Sequence, residues 1–333
     1  MTGPVFLTGA TGFVGGALLE RLLADGIEVR ALVRREAAVA AMLRLGAVPI
    51  RGDLLGETDL SPAMAGCSLL FHAAGLNGFC MPDPKPLFRV NVEGTVRLIE
   101  AAARAEVPRL VYTSSAATLG EAKGLIGTEN SDHRGWFLSA YEHSKYLAER
   151  AAVRAAQSLG VDLICLNPSS VQGPGRTSGT ARWLIRYANG RLRWMIQTRV
   201  SLVDIADCTE AQVLAAVKGV PGRRYVISGP ARPIGELVQI VGAVTGRSYQ
   251  VHYLPAAPAV ALGSLTGSAL KILGQRSPVC REMIRTLAFG HAYDGGTAAR
   301  DLGFAYTPIE TSVKRAMHWY SEHGYLHPPL AAS

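Results

Sequence analysis

The sequence lacks the long basic runs, closely paired cysteines and extended apolar stretches that mark several classes of protein. Its 34 Lys and Arg residues exceed its 26 Asp and Glu residues, which gives a formal charge of +8. The basic residues are scattered along the chain, so we expect no nucleic-acid partner. The net charge is consistent with colloidal solubility or with the attraction of an anionic ligand.

Cysteine is scarce and irregularly placed. The five cysteines are Cys67, Cys80, Cys165, Cys208 and Cys280. Their odd number, their wide spacing and the lack of a C-x-x-C pair argue against a disulfide framework or a zinc site. The histidines show no ligand spacing either, so we expect no metal. A reducing compartment, the cytoplasm, fits this pattern best, and we recognise no signal peptide.

No apolar stretch is long and regular enough to predict an integral membrane span. Residues 254–270 contain no charged side chain, but two prolines and two glycines interrupt them. A spanning helix needs ~20 apolar residues. We therefore expect a buried helix or the apolar wall of a substrate pocket, with loose membrane contact as the alternative.

The first half of the chain alternates short apolar runs with segments of helical spacing. Strand-like runs are predicted at 5–7, 29–33, 48–50, 68–72, 110–112 and 161–166. Helices between strands, joined by short connections, predict a doubly wound α/β fold with a parallel sheet. We interpret residues 1–175 as a dinucleotide-binding Rossmann domain. Residues 176–333 are predicted to form a smaller, mainly substrate-binding portion, interleaved with the last sheet elements.

A glycine-rich turn follows the first predicted strand and opens a helix. Gly9, Gly12 and Gly15 give the pattern G-x-x-G-x-x-G. Gly9 permits a tight turn, Gly12 allows the backbone to approach a pyrophosphate, and Gly15 allows the helix to pack on the strand. The free N–H groups of the helix N-terminus favour phosphate. The predicted cofactor contacts of this turn are Gly9, Thr11, Gly12, Phe13 and Val14.

The end of the second strand distinguishes NAD from NADP. NAD-binding domains place an acidic residue there, about 20 residues after the glycine motif, to bond the ribose hydroxyls. This sequence has Arg34 and Arg35 instead. Because a guanidinium pairs well with a phosphate, we predict NADP(H), with Arg34 at the ribose phosphate. Asp53 and Leu54, after the third strand, are predicted to lie near the adenine, although an aspartate in a turn is also common.

Tyr141 and Lys145 are four residues apart on a predicted helix, so they lie on one face. An ammonium beside a phenol favours the phenolate and lowers the tyrosine pKa, so that Tyr141 can exchange a proton with a carbonyl oxygen. The predicted strand before this helix ends at Ser114 and Ser115. Either hydroxyl could bond the substrate oxygen.

The sequence resembles the extended short-chain dehydrogenases/reductases, in particular dihydroflavonol reductases and 3β-hydroxysteroid dehydrogenases. The matching segments occur in family order and are 8–15, 71–74, 91–95, 113–115, 141–145 and 167–175. The resemblance implies that Ser115 is the catalytic serine and that Asn91 supports the site. It also implies a homodimer. The residues that it places along the nicotinamide are Ala73, Ala74, Pro168, Ser170 and Val171.

The resemblance leaves two reactions open. The favoured one is transfer of a hydride from NADPH to a ketone of an apolar small molecule, with Tyr141 as the proton donor. The alternative is epimerisation of a sugar or sugar nucleotide. Val200-Ser201 stands where many sugar-nucleotide enzymes have Arg-Asp, and Ala116-Ala117 replaces the acid pair of dehydratases. A non-catalytic NADP sensor is disfavoured, because Tyr141 and Lys145 are both present.

Overall fold

Short and almost wholly buried runs of residues build the central sheet of the molecule. The computed structural model describes residues 3–257 and 280–330. Seven parallel strands lie in the order β3-β2-β1-β4-β5-β6-β11. These strands are β1 (Val5–Thr8), β2 (Val29–Val33), β3 (Val48–Arg51), β4 (Leu69–His72), β5 (Arg109–Thr113), β6 (Asp162–Pro168) and β11 (Arg224–Ile227). The predicted doubly wound parallel sheet is therefore confirmed.

Helices cover both faces of this sheet, which explains why its central strands are apolar on both sides. The helices are α1 (Phe13–Ala24), α2 (Glu36–Leu45), α3 (Ser61–Met64), α4 (Lys85–Phe88), α5 (Gly94–Arg104), α6 (Ala140–Leu159), α7 (Ala181–Ala188), α8 (Ile205–Lys218), α9 (Ile234–Thr245), α10 (Arg281–Phe289), α11 (Gly296–Leu302) and α12 (Ile309–Glu322). One core contains α1 and α8, and the other contains α5 and α6. Within β1, Val5 and Leu7 enter the first core and Phe6 enters the second, as the alternation of strand side chains requires.

The C-terminal part of the chain both completes the sheet and builds a second body of structure. Strand β11 pairs with β6, and α8 packs beside it. Beyond them, α7, α9 and α12 share a separate core. Short strand pairs border this core: β7 (Ser170–Gln172) with β10 (Leu202–Asp204), β9 (Arg199–Val200) with β12 (Arg232–Pro233), and β8 (Trp194–Ile196) with β13 (His252–Leu254). The division at residue 175 stays a prediction.

The cysteine prediction requires a correction. A disulfide joins Cys80 and Cys280, which are 200 residues apart, whereas Cys67, Cys165 and Cys208 are free and buried. The wide spacing concealed the pair, because contact across the fold does not depend on sequence distance. Disulfides are rare in reducing compartments, so this bond counts against the argument that led to the cytoplasm.

The predicted apolar segment 254–270 lies mostly outside the described residues. Its start, Leu254, belongs to β13. Among the helices that the structure describes, none is long and apolar enough to cross a membrane.

Candidate active site

The glycine turn lies where the strand order of the sheet reverses, between β1 and its neighbours β2 and β4. Gly9 has a φ of +82°, and a Cβ there would lie 2.6 Å from the backbone of Ala73 and Ala74. A Cβ on Gly15 would lie 2.2 Å from the carbonyl oxygen of Gly9. Only glycine allows α1 and the loop after β4 to approach the end of β1 so closely. Dinucleotides bind at such a reversal point.

The N-terminus of α1 offers unoccupied hydrogen-bond donors. Gly12 caps this helix without a side-chain hydrogen bond, and the first turn contains no acidic residue. Free N–H groups and the positive end of the helix dipole suit a pyrophosphate. The residues present therefore fit a dinucleotide. Thr11 and Gly12 are exposed in this turn, and Phe13 and Val14 are half-buried.

A buried chain of hydrogen bonds holds the loop after β4 in place. The Oγ1 atom of Thr8 lies 2.7 Å from Nδ1 of His72 and accepts a hydrogen bond from the N–H of Ala74 at 3.2 Å. The Nε2 atom of His72 lies 2.9 Å from Oγ1 of Thr95. Burial lowers the pKa of His72 to about 3, so the ring is neutral. This neutral chain positions Ala73 and Ala74 beside the glycine turn.

The predicted adenosine residues lie at the ends of β2 and β3. A guanidinium nitrogen of Arg34 is 3.9 Å from a carboxylate oxygen of Asp53, and their side chains are 64% and 46% exposed. The other carboxylate oxygen of Asp53 accepts a hydrogen bond from the N–H of Leu55 at 3.0 Å, so Asp53 also shapes its own turn. Leu54 is buried against the sheet. The structure thus brings Arg34 and Asp53 together, with Arg34 largely in solvent.

Tyr141 and Lys145 lie on the first turns of α6, beneath the carboxyl end of β5. Ser139 caps the helix by accepting a hydrogen bond from the N–H of Glu142. The ammonium of Lys145 donates to Oη of Tyr112 and to the carbonyl oxygen of Thr113, both at 3.2 Å. A Cβ on Gly75 would lie 3.9 Å from Nζ of Lys145, so the loop after β4 passes directly over the lysine. Burial lowers the Lys145 pKa to about 8.

Tyr141 is influenced by different groups from those that the sequence predicts. Burial raises its pKa, while hydrogen bonding by Ser115 and the positive charge of Arg176 lower it in part. Lys145 was expected to provide the lowering charge. That role of Lys145 stays a prediction.

The structure separates the roles of Ser114 and Ser115. The hydroxyl of Ser114 is buried and donates to a carboxylate oxygen of Glu149, which also contacts Asn167. The hydroxyl of Ser114 is therefore occupied by a hydrogen bond in the core. Ser115 is only half-buried, accepts a hydrogen bond from the N–H of Ala117 at 3.2 Å, and interacts with Tyr141. Of the two, Ser115 alone is placed to meet a substrate.

Asn91 supports the site from a single turn of π-helix at Arg89–Glu93. Its buried amide bonds both the N–H and the C=O of Leu76, at 2.7 Å and 3.0 Å, and donates to the hydroxyl of Ser144 at 3.0 Å. It therefore ties the loop after β4 to α6. Asn91 lies inside this helical turn and is not an N-cap.

The predicted nicotinamide residues after β6 lie across the sheet from the glycine turn. Pro168 is the last residue of β6, and Val171 is buried in β7. The hydroxyl of Ser170 lies 3.0 Å from that of Thr180 and accepts a hydrogen bond from the amide of Gln172. These contacts fix the backbone that leads towards α7.

Two residues near Tyr141 escape sequence reasoning, since only long-range packing brings them there. The carboxylate of Glu282, on α10, accepts hydrogen bonds from the N–H of Ala140 at 2.9 Å and of Cys80 at 3.3 Å. The ring of Phe79, the residue before Cys80, lies 5.9 Å from that of Tyr141. The other residue is Arg176, whose charge acts on Tyr141.

Comparison with known proteins identifies the family. Residues 5–228 match the NAD dependent epimerase/dehydratase family. The chain belongs to this family. Among its relatives, sterol demethylase protein B of Methylococcus capsulatus is 31% identical, over 96% of this chain and 99% of the relative. A 2-alkyl-3-oxoalkanoate reductase of Shewanella oneidensis is 30% identical, over 93% of this chain and 84% of the relative.

Two solved structures have a similar fold. The crystal structure of gox2253 has a TM-score of 0.86 and 29% identity, over 98% of this chain and 100% of that one. MoeE5, solved in complex with UDP-glucose and NAD, has a TM-score of 0.75 and 26% identity, over 96% of this chain and 99% of that one. The prediction of an extended short-chain dehydrogenase/reductase is confirmed.

Proposed function

We propose that the protein is an NADP(H)-dependent oxidoreductase that interconverts a ketone and a secondary alcohol on an apolar small molecule. The observation that carries the proposal is the placement of Tyr141 and Ser115 together at the carboxyl edge of the sheet. They lie close to the loop that the glycine turn packs against. A proton donor thereby shares one edge with a dinucleotide site.

The residues of the chain have distinct roles in the proposed reaction. The nicotinamide cofactor, when bound, supplies or accepts the hydride. Ser115 orients the carbonyl oxygen, and Tyr141 donates a proton to that oxygen or takes it back from the alcohol. Lys145 has three N–H donors, of which Tyr112 and Thr113 accept two. The third is available to a ribose hydroxyl.

The preference for NADP(H) rests on Arg34. No acidic residue ends β2, and the Arg34 side chain is largely exposed near the turn that holds Asp53. A pairing at 3.9 Å between two exposed groups is weak, so the guanidinium is free to turn to a phosphate. Gly9, Thr11, Gly12, Phe13 and Val14 are proposed to hold the pyrophosphate.

The apolar substrate is supported by a cavity in the C-terminal part of the chain. It has a volume of about 160 Å³ and is lined mainly by apolar side chains, among them Trp183, Trp194, Met195 and Leu287. Leu287 lies on α10, the helix whose Glu282 accepts a hydrogen bond from the N–H of the residue before Tyr141. Two relatives, sterol demethylase protein B and the 2-alkyl-3-oxoalkanoate reductase, have names that agree with such a substrate.

The alternative is epimerisation of a sugar or sugar nucleotide, which the family name and the MoeE5 complex favour. A non-catalytic NADP sensor is the third reading. One screen separates them: NADPH absorbance is followed with steroid-like, flavonoid-like and 3-oxo acid ketones, and nucleotide sugars are assayed for epimerisation. We expect turnover of an apolar ketone. Turnover of a nucleotide sugar alone would contradict the proposal, and NADPH binding without any turnover would favour the sensor. The cytoplasmic location and the homodimer stay predictions.

A further inference from the structure

Arg176 is held in place by its backbone, between β7 and α7. Its N–H donates to the carbonyl oxygen of Gly173 at 3.3 Å, and its own carbonyl oxygen accepts a hydrogen bond from Tyr320. The guanidinium lies over the ring of Phe13, 5.3 Å from the centroid. Since Phe13 is the first residue of α1, the side chain of Arg176 reaches the glycine turn.

The guanidinium of Arg176 has no carboxylate partner among residues 3–257 and 280–330. Its Nε atom is buried and lacks any hydrogen-bond acceptor there. Residues 258–279 contain no Asp or Glu. By contrast, Arg134 pairs with buried Glu142, and Arg224 pairs with buried Glu149. Among the described residues, carboxylates therefore pair with the guanidinium groups of Arg134 and Arg224 but not with that of Arg176.

An unpaired and partly buried charge is costly, and a guanidinium stays protonated in proteins. Burial lowers the Arg176 pKa, but not enough to remove the charge. Such a group is stabilised when an anion with two oxygens binds to it. Because the guanidinium lies over Phe13 and its charge acts on Tyr141, an anion bound to it would lie in the region between the glycine turn and Tyr141, which is called the reaction cleft below.

We propose that Arg176 is an anion-binding residue of the cleft, where its guanidinium binds a carboxylate or phosphate group of a molecule that lies beside Tyr141. The inference rests on the proposed function, since it takes this cleft as the active site. Two molecules could carry this anionic group. It is either a carboxylate of the substrate close to its ketone, as in a 3-oxo acid, or the pyrophosphate of the cofactor.

The test compares Arg176→Met and Arg176→Gln with the parent. Methionine keeps the apolar stem that packs on Phe13 and removes the charge. The matched control is Arg182→Gln, an exposed arginine on α7. Calorimetry measures the Kd of NADPH, and then the Kd of a medium-chain 3-oxo acid and of its methyl ester in the presence of NADP+. Thermal unfolding measures Tm.

If the cofactor is the source, both Arg176 variants bind NADPH at least tenfold more weakly while Arg182→Gln is unchanged. If the substrate is the source, NADPH binding is kept and the preference for acid over ester falls at least tenfold. The Tm of Arg176→Met should equal or exceed that of the parent, because an unpaired charge has been removed. A fall in Tm with unchanged affinity for both ligands would assign Arg176 a structural role and overturn the proposal. The same unchanged affinities in Arg176→Gln would overturn it if the methionine variant did not fold.

These readouts distinguish the failure of the anion site from the failure of the proposed function. The binding measurements need no turnover, so they test Arg176 even if no ketone in the screen is reduced. Conversely, if the parent reduces ketones while the variants bind both ligands normally, the proposed function stands and the anion site does not.

Discussion

The ammonium of Lys145 donates a hydrogen bond to Oη of Tyr112, 3.2 Å away. Tyr112 is almost fully buried, and its ring stacks 5.1 Å from that of His72. The lysine is thus held at the base of the site by core residues of β4 and β5. Burial of this kind favours the neutral amine and lowers the lysine pKa.

The lowered Lys145 pKa predicts a dependence of stability on pH. The Lys145 pKa is about 8 in the folded protein and 10.5 in the absence of the protein environment. Between these values the unfolded chain binds more protons, so the free energy of unfolding rises with pH in that window. Below about pH 8 the cost of burying the ammonium is fully present. The shift corresponds to about 3 kcal/mol.

We therefore expect Lys145→Met to remove this rise. Urea unfolding at pH 7 and pH 10 gives the free energies of parent and variant, and only their difference is used, because other groups titrate equally in both. From pH 7 to pH 10, the free energy of unfolding of the parent should rise by up to about 3 kcal/mol relative to that of the variant. A constant difference would show that the lysine is not destabilised by burial.

The cofactor preference should depend on Arg34. Replacement by alanine removes the guanidinium that would pair with the ribose phosphate, while NADH has no phosphate there. We expect Arg34→Ala to raise the KM for NADPH about 10-fold or more, as loss of a charge-assisted pair implies, and to leave the KM for NADH nearly unchanged. Arg35→Ala, the adjacent exposed arginine, is the control. Equal use of both cofactors by the parent would remove the basis for assigning NADP.

The disulfide should stabilise the fold. Cys80 lies in the loop after β4 and Cys280 directly precedes α10, so the bond closes a very long chain segment. A link of this kind typically contributes 2–4 kcal/mol by restricting the unfolded chain. The variant with both cysteines replaced by serine should lose about this much in urea unfolding, and a phosphine reductant should lower the parent to the same value.

The control for this prediction is the double serine variant with reductant, whose stability should not change. Free thiols at both positions in the purified parent, measured under non-reducing conditions, would contradict the bond itself.

The sequence predicts the main strands and helices of the central sheet well, because these elements depend on local sequence signals. Strand β2 matches its predicted bounds, and Tyr141 and Lys145 lie on a helix, α6, as their spacing predicts. The four short strands from β7 to β10 went unpredicted, since two or three residues carry no period. The site divides in the same way. Tyr141 and Lys145 follow from helical spacing, whereas Arg176 and Glu282 depend on packing of distant segments.

Ser114 and Ser115 illustrate what only the structure could decide. Both end the same strand, and the sequence alone left the choice open until a family resemblance favoured Ser115. Glu149 on α6 decides between them, because its carboxylate accepts a hydrogen bond from the buried hydroxyl of Ser114. A hydrogen bond across 35 residues leaves no pattern in the sequence.

We propose that Tyr141 donates the proton in a ketone reduction at this cleft. The most direct measurement is the rate of NADPH oxidation with the best ketone from the screen, for the parent and for Tyr141→Phe, together with the Kd of NADPH for each. Phenylalanine keeps the ring and removes the hydroxyl group that carries the proton. We expect a fall in kcat of at least about 100-fold with an unchanged Kd for NADPH. A phenylalanine variant that retains the parent kcat would contradict it.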